Sequence, residues 1–119
     1  MRKTLLACLL FTVTAVAMDV SGKWWGEAVA NGEPHPVYLT LIQEGAILKG
    51  TGGPGPMEQS PMRDGKVEGN RITFDIYPGA NEPLHFELVM DGRDLKGTMS
   101  VKHNGQTVTG KVSLRKRSN

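Results

Sequence analysis

Alternation of apolar and polar residues dominates the chain after residue 20, and no window holds an amphipathic helical period. Period-2 runs bounded by Gly, Pro, Asn and Asp predict strands at Gly22–Ala30, Pro36–Glu44, Ile47–Gly53, Pro61–Glu68, Arg71–Tyr77, Leu84–Asp91, Asp94–Val101 and Gln106–Lys116. One face collects Val37, Leu39, Leu41, Ile72, Phe74, Ile76, Leu84, Phe86, Leu88, Met90, Leu95, Met99, Val101, Val108, Val112 and Leu114. The other carries Thr40, Thr73, Asp75, Glu87, Lys96, Thr98, Lys111 and Ser113. A meander with one greasy face hides it best by curling shut, which also removes the exposed edges. The expectation is therefore an all-β, eight-stranded antiparallel up-and-down barrel. Glycines in phase with the inward face, such as Gly26, Gly50 and Gly97, suit the bending of a narrow barrel.

The connections predict two ends with different jobs. Glu44-Gly45, Gly69-Asn70 and Asp91-Gly92-Arg93 read as tight turns. Asn31 to Pro34, Gly52 to Ser60, Pro78 to Pro83 and His103 to Gly105 read as longer, Gly/Pro-rich loops gathered at the opposite end. Loops on a rigid scaffold are where binding concentrates, so this open end is the expected working end.

Arg2 and Lys3, an apolar run from Thr4 to Val16, and Ala15-Val16-Ala17 make residues 1–17 an expected export signal, leaving 18–119 as one domain of the 119-residue chain. The run is shorter than the ~20 residues a stable span requires, so no stable membrane anchor is expected. The lone cysteine, Cys8, stands in a lipoprotein-like box, but it lies too close to Lys3 for a usual apolar core, which argues against lipidation. The expected location is the periplasm or the exterior, with a cysteine-free mature chain that owes nothing to disulfides. The overall charge of +2 comes from the leader; the remainder balances basic and acidic side chains. Arg115-Lys116-Arg117 reads as a solvated terminus, and no nucleic-acid partner is expected.

Candidate chemistry is sparse. No nucleophile, phosphate loop or metal signature stands out, so neither a catalytic set nor a cofactor is expected. His35, His85 and His103 fall at or beside the open end with Glu33, Glu58 and Glu82, and a rim enzyme built from them is the lesser alternative. His85 should point outward. Met57 and Met62, in the connection between the third and fourth strands, offer adaptable apolar contact. Trp25 should face outward beside Tyr38, as a cross-strand pair or as a contact for a glycan or an envelope protein.

Gly22-Lys23-Trp24 at the start of the first strand, with Arg115 and Lys116 ending the last, resembles the signature of the calycins (lipocalins, avidins and fatty-acid-binding proteins). That resemblance implies that Trp24 closes the narrow end of the barrel beneath a basic side chain, Arg115 or Lys116. Leu48-Lys49-Gly50-Thr51 and Asp64-Gly65-Lys66-Val67-Glu68-Gly69-Asn70-Arg71-Ile72-Thr73-Phe74 also resemble a secreted bacterial module often appended to hydrolases. The function these readings imply is a non-catalytic binding or accessory module acting through its open-end loops or an exterior aromatic patch. The alternative is a carrier of a small apolar ligand.

Overall fold

The computed structural model describes residues 19–79 and 82–117; the expected leader with Cys8 lies outside the described residues. Eight strands follow one another: β1 Gly22–Ala30, β2 Glu33–Glu44, β3 Ile47–Gly55, β4 Glu58–Glu68, β5 Arg71–Ile76, β6 Leu84–Asp91, β7 Asp94–His103 and β8 Gln106–Lys116. Each pairs antiparallel with the next, and β1 pairs with β8, so the sheet is a closed up-and-down barrel. Closure leaves no strand edge unpaired along the shared part of the wall.

The inward set follows the predicted phase. Leu39, Leu41, Ile72, Phe74, Ile76, Phe86, Leu88, Leu95, Val112 and Leu114 are buried, and Phe74 stacks on Phe86 with centroids 4.9 Å apart and planes 16° from parallel. Each such aromatic or aliphatic side chain contributes roughly 1.5–3 kcal/mol by leaving water. The outward wall carries charge at Asp75, Glu87, Lys96 and Lys111, the opposite of the apolar outer band of a membrane-spanning barrel.

Close strand crossing depends on glycine at a few inward positions. At Gly97 a Cβ would fall 2.0 Å from the Glu87 carbonyl oxygen, and at Gly26 it would fall 2.0 Å from that of Ser113. Only a residue without a side chain fits there.

The expected long loops are corrected by the structure. The chain turns at Asn31-Gly32, Pro56-Met57 and Asn104-Gly105, two residues each, because β2, β3, β4 and β7 run further than their Gly and Pro content suggested. Pro34 and Pro36 fit within β2 because they pair only with β1, beyond the reach of β3, whose ladder with β2 begins at Tyr38 and Gly53. A missing N–H has no ladder to break there. The β3–β4 arm absorbs its irregular sequence as register shifts, and a further shift in β4 falls at Asp64-Gly65, with Asp64 at φ 55°. Only the β5–β6 connection remains long. Three of the four expected loops at this end are thus two-residue turns that close hairpin arms.

Candidate functional site

Between those arms the barrel opens into a cavity of about 540 Å³. Leu39, Ile76 and Phe86 form its floor, and Ala28, Val37 and Met99 line its wall. These residues point inward because they share the pleat phase of the core, yet nothing fills the barrel at their level. Small residues help explain the space: Ala28 and Ala30 on β1 stand where larger side chains would reach into it, whereas at Gly52 on β3 the site of a Cβ is already taken by the Leu39 and Ile76 side chains. Leu84, Met99, Val101 and Val108 are half-buried and line the cavity, Val101 and Val108 as a cross-strand pair. Glu33, His35, Lys102 and His103 stand at the rim.

No polar or charged side chain is fully buried among the described residues, so the depth of the cavity is almost all hydrocarbon, with the half-buried Ser60 hydroxyl as its polar exception. A polar group taken into such a space would lose its water without gaining a partner, at a cost of roughly 2–7 kcal/mol. An apolar group would gain about 25 cal/mol for each Å² removed from water. The arrangement therefore accepts apolar matter at depth and polar matter only at the rim.

The opposite end is sealed. Val20 is fully buried, and its backbone N–H donates to Gln43 Oε1 at 2.9 Å. The Trp24 indole Nε1–H donates to the Val20 carbonyl oxygen at 2.9 Å, and the Gln43 N–H donates to Ser21 Oγ at 2.9 Å. Residues 19–21 thus form a plug tied to the barrel by its own backbone. Lys116 stands opposite Trp24 in the β1–β8 ladder, and its aliphatic stem crosses Gly22. Arg115 and Lys116 both remain exposed, and among the described residues no cation stacks on Trp24; the cation–π contact present is Arg63 over Tyr77 at 4.6 Å. Val20 had no signal in the strand pattern, since it precedes the first alternating run. Its one legible clue was being an apolar residue two positions before the Gly-Lys-Trp motif.

The remaining expected site residues scatter. His35 and His103 reach the mouth rim, while His85 points outward into a groove with Asp75 and Glu82. Among the described residues no group of His, Asp and Glu is placed to share a metal ion. His85 Nδ1 meets Asp75 Oδ1 at 2.6 Å and its Nε2 meets Glu87 Oε2 at 3.1 Å. The hydrogen bond to Asp75, helped by Glu87 and opposed by partial burial, holds the imidazole above its ordinary value of 6.5. Both ring nitrogens can donate only as the imidazolium, which suits two carboxylate neighbours. The two methionines part company: Met57 is 93% exposed at the β3–β4 turn, whereas Met62 packs against the core. Trp25 and Tyr38 face outward as a stacked cross-strand pair, with centroids 6.5 Å apart and planes at 18°.

No protein-family model matches the chain, and no curated protein or solved structure is similar to it.

Proposed function

We propose that the protein is a non-catalytic binding module that holds a small apolar ligand, or the hydrocarbon tail of an amphiphile, in the mouth of the barrel. The observation that carries this reading is the cavity of about 540 Å³ whose floor and wall are aliphatic and aromatic. Spaces of that size fall within the usual range of small-molecule pockets, about 300–1,000 Å³. Below the rim the lining carries one hydroxyl, that of half-buried Ser60, with no acid or base beside it to activate it, which favours retention over chemistry. The expected export signal and the resemblance of the Gly22-Lys23-Trp24 motif to that of the calycins support the same reading: Trp24 occupies the sealed end, and the ligand space opens at the other.

The direct test is a thermal melt of the full chain against a series of straight-chain alcohols and carboxylates of increasing length. A ligand that favours the folded state raises the midpoint, by about 2.7 kcal/mol of stabilisation at a hundredfold excess over Kd. Affinity should climb about fourfold per added methylene until the cavity is full, then level off. A flat response across the whole series refutes the proposal.

A further inference from the structure

The three large apolar residues exposed on the barrel wall stand on three consecutive strands: Trp25 on β1, Ile42 on β2 and Ile47 on β3. Register sets them on one diagonal. Trp25 pairs with Tyr38, Ile42 follows Tyr38 by four residues on the same face, and Ile47 opposite Glu44 is the diagonal neighbour of Ile42. Cations line this diagonal on both sides. Arg115 pairs with Trp25 across the β1–β8 seam, Lys23 precedes Trp25 by two positions, and the Arg117 N–H donates to the Lys23 carbonyl oxygen at 2.7 Å. Lys66 pairs with Ile47 on the far side. Among the described residues Lys23, Lys66, Arg115 and Arg117 make no ion pair; Glu44 within the strip is held by Lys49 at 3.2 Å, and two further acids, Glu27 beyond Trp25 and Asp94 opposite Arg115, border it.

We infer that this face docks reversibly on an anionic phospholipid bilayer. Two features select that partner. Unpaired cations around the strip complement a negatively charged headgroup layer. The exposed indole and isoleucine side chains between those cations, with half-buried Tyr38 stacked on the indole, supply apolar area that can enter the headgroup boundary. A soluble polyanion would use the cations and leave Ile42 and Ile47 in water. A second copy of the chain would bring like charges together. The docking is peripheral, because the rest of the outer wall is charged.

The face lies toward the sealed end of β1, β2 and β3, away from the mouth. The docked barrel therefore keeps its cavity open to solvent.

The test is co-sedimentation of the full chain with vesicles of phosphatidylcholine alone and with a third phosphatidylglycerol, at low and high salt. Each neutralised cation should weaken partition about fivefold, so Lys23→Gln/Arg115→Gln/Arg117→Gln together should cost on the order of a hundredfold on the anionic vesicles. Raising the salt should act the same way on the unaltered protein. Trp25→Ala should weaken binding several-fold, with unchanged circular dichroism. Any contribution of residues 1–18 is common to all these chains and cancels in the comparison. Three results overturn the inference: equal binding to neutral and anionic vesicles, no loss in the triple variant, or a wild-type dimer that Trp25→Ala converts to a monomer.

Discussion

Ala30 gives the sharpest test of the cavity. It is half-buried on the inward face of β1, one residue before the Asn31-Gly32 turn, and its methyl group borders the open space. Enlarging a side chain inside a packed core costs about 1–3 kcal/mol in strain. At Ala30 the added carbons of Ala30→Leu enter empty volume, so stability should stay within about 0.5 kcal/mol of wild type. The same carbons take the place of about three ligand methylenes. At about 0.8 kcal/mol for each methylene the lost contact is about 2.4 kcal/mol, which is about 50-fold in Kd for the longest ligand that fits. Ligands short enough to sit on the floor of Leu39, Ile76 and Phe86 should bind nearly as before. Urea denaturation gives the first quantity, and calorimetric titration across the chain-length series gives the second. A variant that loses several kcal/mol of stability while binding every ligand unchanged would show that no space exists at this level, and the argument from the cavity would fail.

Three further outcomes follow from the geometry. Gly97→Ala should cost about 3 kcal/mol or more in denaturant melts, since its Cβ meets the Glu87 carbonyl oxygen at 2.0 Å and the Leu88 Cα at 2.9 Å. Gly92→Ala, at φ +64° in open space, should cost only the ~1–2 kcal/mol of a left-handed residue, and equal losses at the two sites would contradict the crossing argument. Trp24→Phe leaves the buried Val20 carbonyl oxygen without its donor and should cost about 1–3 kcal/mol, with binding at the distant mouth preserved; a neutral substitution would remove the plug from the account. His85 gains its carboxylate partners on folding, so its contribution is whole below about pH 6.5 and fades as pH rises through its raised folded value. With the side chain 45% exposed the effect is that of a surface pair, under about 1 kcal/mol, and stability should drift down as pH rises above about 6.5 in wild type but not in His85→Gln. The same drift in both proteins would rule out His85 as its source.

The barrel was legible because period 2 persists along every strand: the bounds of β1, β6 and β8 coincide with those read from the pattern, and the buried set keeps the predicted phase. The arms were not. Glycine and proline mark breaks only on average, and Pro34, Pro36, Pro54 and Pro61 fall where a strand has one partner or a shifted register, so their missing donors go unnoticed. The cavity was half legible. Alternation identified its lining as inward, but whether facing side chains meet or leave a gap depends on summed volumes across the barrel, which no single strand reports. Ala28 and Ala30 were the clue, two small residues in succession on the inward face of β1. The sealed end shows the same limit. The Trp24 motif located it, while the group that stoppers it is an apolar residue outside any periodic run.

Pairing of β1 with β8 makes the first and last strands neighbours, with Trp24 opposite Lys116. The seam joins residues separated by almost the entire domain, so its ordering entropy is recovered only after every hairpin has formed. During synthesis the growing sheet must wait with two raw margins until its final dozen residues emerge, and that interval is when neighbouring chains can zip together in error. Expression at low temperature or with a holding chaperone should raise the yield of monomer. A permuted chain that begins at Gly105 and joins β8 to β1 would carry the same hazard, because β7 and β8 would then be the pair that meets last.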